Sequence, residues 1–168
     1  MIETKRLILR EFTLNDAGCY FRLNSDRGVV RYTGDRPFRS LEDARQTLRE
    51  APLRDYEIHG YGRLACIEKS SSKLIGFSGV KYLREMDEVD IGYRFSSEYW
   101  GKGYATESAN AVMEYAHNVL GLQRIIGIVD PDNIASVKVL LKLGMSHERK
   151  LRYGSKRAEF DLYATRTT

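Results

Sequence analysis

The stretch Y-W-G-K-G-Y-A-T-E-S at residues 99–108 decides the fold of this chain. It follows an alternating apolar segment at residues 89–95 and leads into an alanine-rich helical pattern that ends near Leu120. We therefore predict a strand, a short glycine loop and the N-terminus of a helix. Gly101 and Gly103 lack a Cβ atom, which lets the backbone adopt unusual dihedrals and approach a ligand closely. The first N–H groups of the helix have no partner within it, and the helix dipole adds positive potential, so the loop suits a phosphate or pyrophosphate.

The composition is that of one ordinary globular domain. The 168 residues are 42% apolar and 30% charged, and we predict a single domain over residues 1–168 because no repeat or linker divides them. No apolar run is long enough to cross a bilayer, and residues 1–12 lack the apolar segment of a secretory signal. The two cysteines are far apart, which favours a reducing, cytoplasmic compartment. A net charge of +4 and a pI near 9.0 suit an anionic cofactor or a nucleic acid without deciding between them.

Apolar periodicity and turn residues predict the elements on both sides of the loop. Strands are expected at residues 5–12, 62–68, 73–83, 88–95, 124–129, 145–153 and 157–165, helices at 14–24, 41–50, 104–120 and 134–143, and a loop at 26–38. Short turns join the three strands before the glycine loop, which predicts an antiparallel meander. The strand–helix–strand unit around the loop implies one parallel pair. The prediction is an α+β fold with a mostly antiparallel sheet of about seven strands, helices on both faces, and a ligand site at the parallel pair.

Two common nucleotide-binding loops fit this stretch poorly. A dinucleotide fingerprint needs a third glycine where Thr106 stands, and it lies on the first strand of repeated βαβ units rather than after a meander. A phosphate-binding P-loop needs Gly-Lys-Ser/Thr, whereas the sequence here is Gly101-Lys102-Gly103. A tight strand-to-helix turn without a ligand is the remaining structural alternative.

Four stretches together resemble the GNAT superfamily of acyl-CoA-dependent N-acyltransferases, most closely its RimJ/RimL-like branch. They are K-R-L-I-L-R at 5–10 with the helix start L-N-D-A at 14–17, D-I-G-Y at 90–93, W-G-K-G-Y-A-T-E-S at 100–108, and D-x-x-N-x-A-S-x-x-V-L-x-K-L-G-M at 130–145. The resemblance implies a GNAT-like sheet whose parallel pair is splayed at the cofactor site. It also implies direct transfer of the acetyl group of acetyl-CoA to a primary amine. The chain departs from the superfamily at Glu98, where a Gln or Arg is usual, at Met145, where an aromatic is usual, and in a short final loop at 154–156.

The resemblance assigns the contacts to acetyl-CoA, which is the only cofactor expected, with no metal. The implied cofactor-binding residues are Tyr93, Arg94, Phe95, Gly101, Lys102, Gly103, Tyr104, Ala105, Thr106, Asn133, Ser136 and Lys142. Glu98 removes one basic contact to the pyrophosphate, which leaves Lys102 and backbone N–H groups. Asn133 would contact the pantetheine arm, although a capping role explains its position equally well. Lys142 would meet the adenosine phosphates, or it belongs to a solvated helix face.

The chemistry requires a neutral amine, and alkylamines are mostly protonated at pH 7. A base, acting directly or through water, is therefore expected. Glu88 and Asp90 lie two residues apart on the strand before the loop and share one face. The superfamily often places its base on this strand, so Asp90 ranks first and Glu88 second; the alternative is that both pair with Lys81 or Arg84 across the meander. By resemblance, Ser136 would supply the hydroxyl near the leaving sulfur.

The acceptor and the partners are the least determined. The RimJ/RimL-like branch caps its acceptor site with the loop that holds Tyr32 and Arg36, which become substrate-binding candidates together with Asp90. The acceptor would be a protein N-terminus or a small-molecule amine, a homodimer is common in the family, and neither nucleic acid nor membrane is an expected partner. The basic net charge, the absent loop arginine and the open choice of base keep open a second hypothesis, a non-catalytic CoA-binding or RNA/ribosome-associated module. Cys66 is expected to be a buried structural cysteine rather than an acylated nucleophile.

Overall fold

The computed structural model describes residues 1–166 as one sheet with helices on both faces. The strands are β1 (Ile2–Glu3), β2 (Leu7–Glu11), β3 (Arg63–Glu68), β4 (Leu74–Leu83), β5 (Glu88–Phe95), β6 (Ile126–Val129), β7 (Ser146–Tyr153) and β8 (Ala158–Ala164). The helices are α1 (Ala17–Ser25), α2 (Arg27–Val30), α3 (Leu41–Leu48), α4 (Arg54–His59), α5 (Tyr104–Asn118) and α6 (Ile134–Lys142). Short 3₁₀ turns occupy Leu14–Asp16 and Ser97–Tyr99.

The predicted fold class is confirmed. The strand order is β1-β2-β3-β4-β5-β6-β8-β7, and within residues 1–166 every neighbouring pair is antiparallel except β5 and β6. The sheet has eight strands instead of about seven because Ile2 pairs with Leu9 and adds the two-residue strand β1 at one edge. The parallel strands β5 and β6 share a single register pair, Asp90 with Ile126, so they separate soon after they meet.

Two apolar clusters fill the two sides of the sheet. On one side α5 packs its small face, including Val112 and Ala116, against Ile91 of β5. On the other side α1 and α3 cover an aromatic cluster built around Phe12 and Phe77. Small residues on α5 let that helix lie close to the sheet, which is why the loop before it is held next to β5.

Three details of the predicted elements are wrong. The predicted loop at 26–38 contains α2, because the Asp26 carboxylate accepts the Gly28 N–H at 2.8 Å and caps a short turn. The predicted helix at 41–50 does not end there; it widens through a π-helical turn at Arg49–Leu53 and continues as α4 to Gly60, whose φ is +76°. Pro52 has no N–H to donate, and the widened turn accommodates it. Helix α5 ends at Asn118 rather than near Leu120, and Val119, just past its end, is 66% exposed.

An ion pair joins β2 to the start of α1. The two Arg10 guanidinium nitrogens donate to the two Asp16 carboxylate oxygens at 2.9 Å each, and the Thr13 N–H donates to the same carboxylate at 2.8 Å. Burial alone would raise the pKa of Asp16, but the hydrogen bonds from Arg10 and Thr13 outweigh it and lower the pKa. The charged carboxylate therefore stabilises the turn that orients α1.

We predict that Asp16→Asn lowers the free energy of unfolding by about 1–3 kcal/mol at pH 7, because hydrogen bonds to a charged group are lost. A carboxylate whose pKa is lower in the folded than in the unfolded protein stabilises the fold fully at any pH above its unfolded-state pKa. That contribution is lost as the pH falls through its folded-state pKa. Urea unfolding should therefore show a smaller difference between wild type and variant at about pH 3 than at pH 7. The exposed Glu85→Gln serves as control. A difference that does not change with pH would contradict the role of the charge.

Candidate functional site

A cavity of about 470 Å³ opens where β5 and β6 separate. Residues 90–94 of β5 line it from one strand, and Ile128 and Val129 of β6 line it from the other. Tyr20 and Asn24 of α1 contribute the wall on one face of the sheet, and Ser136 of α6 contributes the wall on the other face. The cavity therefore connects the two sides of the sheet through the gap in the parallel pair.

An arginine from two strands away reaches this gap. Arg63 of β3 lies opposite Gly79 of β4, which lies opposite Gly92 of β5, so the three residues form one row across the sheet. The Arg63 guanidinium donates to the Gly79 carbonyl at 2.5 Å, to the Asp90 carbonyl at 2.9 Å and to the Asp90 carboxylate at 2.5 Å. A Cβ atom on Gly92 would lie 2.5 Å from Arg63 Cζ. Gly92 thus leaves the space that the guanidinium occupies, whereas a Cβ atom on Gly79 would lie 2.7 Å from Arg63 Cα and disturb the strand that carries the arginine.

Asp90 is the buried carboxylate of the site. It is 7% exposed, and the Ile128 N–H of β6 donates to its Oδ1 atom at 3.4 Å. Burial raises the pKa of Asp90, and the Arg63 guanidinium opposes that rise. Lys81 lies opposite Asp90 in the register of β4 and β5, but the ion pair is made by Arg63, which the sequence did not indicate. A buried, oriented carboxylate beside an open cavity can accept a proton from a bound group.

Glu88 stands apart from the cavity. The Arg124 guanidinium donates to the Glu88 carboxylate at 2.9 Å and to the Glu148 carboxylate at 2.8 Å. Glu88 and Asp90 share one face of β5, as predicted, yet the structure brings only Asp90 into the cavity lining. An ion-paired carboxylate outside the cavity is poorly placed to take a proton from a ligand inside it.

Two hydroxyl groups meet on the α6 side of the gap. The Tyr93 hydroxyl donates to the Ser136 carbonyl at 3.0 Å, and the two hydroxyl oxygens lie 3.0 Å apart. Asn133 caps α6 by accepting the Ser136 N–H at 3.2 Å, so the capping role expected for it is confirmed. Burial raises the pKa of Tyr93, which keeps its hydroxyl protonated and able to donate. All three residues line the cavity.

The glycine loop has the geometry of an anion seat. Gly101 and Gly103 adopt φ values of +73° and +85°, and Gly103 precedes the first turn of α5. The loop lies outside the cavity lining described for residues 1–166, at the end of the strand that forms one wall. Lys102 is exposed, and its Nζ atom lies 5.7 Å from the centre of the Tyr99 ring. Glu98, which carries a negative charge, is also exposed. Lys102 is therefore the residue that can offer a positive charge at this loop.

The N-terminal segment of the chain holds the start of α5 in place. The Glu107 carboxylate accepts the Thr4 hydroxyl at 2.7 Å and the Arg6 N–H at 2.8 Å, and it pairs with the Arg6 guanidinium at 2.7 Å. The Arg6 guanidinium also lies 4.1 Å from the centre of the Tyr104 ring. The Tyr104 hydroxyl donates to Glu68, so its side chain is committed to the fold, whereas Ala105 and Thr106 are half-buried on the same turn. Tyr104 could therefore offer only its backbone to a ligand.

Other residues predicted for the cofactor lie in different settings. Phe95 is in the core, and its carbonyl accepts the Trp100 indole N–H at 2.8 Å. Lys142 is exposed at the end of α6. Arg94 lines the cavity, but its guanidinium donates to Asn24 and, at 2.8 Å, to Asp35. These contacts fasten residues 32–38 over the cavity.

The predicted acceptor residues do lie at the cavity. Tyr32 and Arg36 both line it, and Arg36 is exposed. Sequence reasoning missed Arg63, Lys81 and Asp55, which line the same cavity. The paired interior glycines of β4 and β5 were an available signal, since glycine inside a strand often marks a close approach by another group. Asp55 carried no comparable signal because α4 itself was not predicted.

Three further observations concern metal ligands, helix length and cysteine in the described part of the chain. Across residues 1–166 no three His, Cys, Asp or Glu side chains lie together as a candidate metal site. No described helix is long and apolar enough to cross a membrane. Cys66 is buried as predicted, and burial raises the pKa of its thiol, which makes a nucleophilic thiolate unfavourable.

Comparisons with known proteins agree with this geometry. The sequence model of the acetyltransferase (GNAT) domain family matches residues 6–146. The chain is 35% identical over 153 residues to the uncharacterized N-acetyltransferase YoaA of Bacillus subtilis, covering 90% of this chain and 86% of that protein. It is 29% identical over 150 residues to spermidine N(1)-acetyltransferase of Escherichia coli K12, covering 86% and 75% of the two chains. The crystal structure of a GNAT-family acetyltransferase from Bacillus anthracis superposes with a TM-score of 0.81 at 27% identity, covering 97% of this chain and 96% of the other.

Proposed function

This chain belongs to the GNAT acetyltransferase family, and we propose that it transfers the acetyl group of acetyl-CoA to a small primary amine bound in the cavity between β5 and β6. It is an acetyl-CoA-dependent N-acyltransferase, as predicted, which leaves the non-catalytic alternative without support. The observation that carries the acceptor class is the cavity itself. Its volume of about 470 Å³ lies in the range of small-molecule sites, and residues 32–38 and α1 wall it on the acceptor side.

The residues present fit the co-substrate. Exposed backbone N–H groups at positive-φ glycines, the start of a 15-residue helix and Lys102 together suit a pyrophosphate. Acetyl-CoA supplies the thioester when bound. In the proposed reaction Asp90 accepts the proton of the attacking amine, directly or through water. The Ser136 hydroxyl would donate a hydrogen bond to the sulfur as it leaves, and the Tyr93 hydroxyl, 3.0 Å away, would orient it.

The charges around Asp90 also favour a neutral amine. Arg63 is in contact with its carboxylate, and Lys81 lies opposite it in the sheet. These two positive charges offset the attraction of the Asp90 carboxylate for a protonated amine, so an amine bound there loses its proton more readily than it would beside a lone carboxylate. The free amine is the nucleophile in attack on a thioester, so this environment supports the reactive form.

The finer assignments remain proposals. A protein N-terminal amine, the acceptor suggested by the RimJ/RimL-like resemblance, is the second candidate, whereas the E. coli relative is named for spermidine, a small amine. The volume of the cavity, about 470 Å³, favours the small amine over a peptide. A homodimer and a cytoplasmic location also stay predictions from the sequence.

An acceptor panel tests the proposed function. We expect acetyl-CoA-dependent thiol release with small primary alkylamines to exceed release with free-N-terminal peptides by at least about tenfold in kcat/KM, because a peptide does not fit the cavity. Matched N-acetylated amines serve as blank acceptors. Faster release with peptides would contradict the small-amine assignment, and no release with any amine despite CoA binding would contradict catalysis.

Two glycine variants test the cofactor loop. Gly101 and Gly121 have φ values of +73° and +70°, and a Cβ atom on either would meet nothing within 4 Å. Alanine at either position should lower the free energy of unfolding by about 1–2 kcal/mol, because both glycines have a left-handed backbone conformation. Only Gly101→Ala should also weaken CoA binding, by about tenfold or more in Kd measured by calorimetry, since its Cβ would enter the pyrophosphate seat. Equal CoA affinity in the two variants would contradict the assignment of the loop.

Asp90→Asn tests the base. We expect kcat to fall by about 10²–10⁴-fold at neutral pH while CoA affinity stays nearly unchanged. The wild-type rate should fall as pH drops through the raised pKa of Asp90, because the base is then protonated. The deficit of the variant should shrink as pH approaches the pKa of the amine, about 10, where free amine no longer needs a base. If the pH–rate profile of the variant matches that of wild type, another group accepts the proton of the amine.

A further inference from the structure

One carboxylate in the cavity has no assigned partner. Asp55 of α4 lines the cavity, and its Oδ2 atom is buried without a hydrogen bond to any residue that the structure describes. The other carboxylates of the cavity are engaged. Asp90 pairs with Arg63, Asp35 pairs with Arg94, and Asp130 accepts the Asp132 N–H at 2.9 Å. Asp55 is therefore the exception among the acidic groups that face the ligand space.

An unpartnered buried carboxylate oxygen is unfavourable unless something supplies a donor. Leaving such a group without a hydrogen bond costs about 1–3 kcal/mol or more. Burial raises the pKa of Asp55, and the positive charge of Lys81 opposes the rise most strongly, with smaller contributions from His59, Arg63 and Arg54. Arg63 is already committed to Asp90. Lys81 faces the same cavity and forms no ion pair with the described residues, so it is the competing partner that an experiment must separate.

The rest of the wall suits an aliphatic cation. Among the described residues, seven aromatic side chains line the cavity: Tyr20, Tyr32, Phe38, Phe77, Tyr93, Tyr153 and Phe160. Aromatic faces pack against methylene chains and attract positively charged nitrogen. A cavity lined by such rings and by a carboxylate without a partner suits an alkylammonium group.

We propose that Asp55 is a specificity-determining residue that accepts hydrogen bonds from a second, positively charged nitrogen of the acceptor, so that the acceptors are diamines or longer polyamines. This inference rests on the proposed function, because it presumes that the cavity holds the amine acceptor. One amine lies beside Asp90 and its partner Arg63 and gives its proton to Asp90, so that it reacts in its neutral form. The other remains protonated and is held by Asp55.

The test compares a linear α,ω-diamine with the monoamine of the same chain length. Wild type should acetylate 1,5-diaminopentane with a kcat/KM at least about tenfold above that for 1-aminopentane, as one hydrogen-bonded charge pair requires. Asp55→Asn should remove this preference by raising KM for the diamine while leaving the monoamine rate unchanged. Asp130→Asn, which removes a partnered carboxylate from the same cavity, should leave the diamine-to-monoamine ratio as in wild type.

The outcomes separate this inference from the proposed function. If wild type acetylates both amines equally, or if Asp55→Asn slows both by the same factor, Asp55 does not recognise a second nitrogen although the enzyme acetylates amines. If Lys81→Met creates a diamine preference that wild type lacks, Lys81 is the resident partner of Asp55 and the inference is wrong. If neither amine is acetylated by wild type, the proposed function itself fails. The wild-type ratio decides the question even if Asp55→Asn does not fold.

Discussion

The ion pair between Arg63 and Asp90 is the interaction on which the site depends. It requires an arginine on β3, two glycines in register on β4 and β5, and an aspartate two residues before the second glycine. A side chain at Gly92 would block the guanidinium, and without the guanidinium Asp90 would be a buried charge without compensation. The D-I-G-Y sequence thus encodes both the carboxylate and the empty space through which its partner arrives.

The separation of β5 and β6 exposes that ion pair to the cavity. Asp90 stands at the register pair with Ile126, so it lies at the last point of contact before the strands diverge. The Tyr93 hydroxyl reaches Ser136 across the gap and ties β5 to α6 where backbone pairing has ended. A buried carboxylate and a pair of hydroxyl groups consequently flank the same opening, an arrangement that suits the proposed acyl transfer to an amine.

The sequence predicts the local elements well and the long-range contacts poorly. Alternation in β3 to β5 and the glycine loop before Tyr104 specify strands and a helix start from neighbouring residues alone, so the meander and the parallel pair follow. The helical continuation past Pro52 was missed because proline normally ends a helix, and Asp55 was missed with it. Arg63 was missed for another reason. Its role depends on strand register, which joins residues far apart in the chain.

Contacts behind the first turn of α5 hold the glycine loop in place. Glu107 holds the first turn of α5 to Thr4 and Arg6 of the N-terminal segment, so the backbone N–H groups before it are fixed before any anion binds. Preorganised donors bind an anion without a further ordering cost. Anion binding at the loop is therefore compatible with Glu98 in the place of a basic residue, because the rigid backbone N–H groups and Lys102 provide the positive potential. The Arg6 guanidinium pairs with the Glu107 carboxylate and neutralises a negative charge that would otherwise repel an anion at the loop.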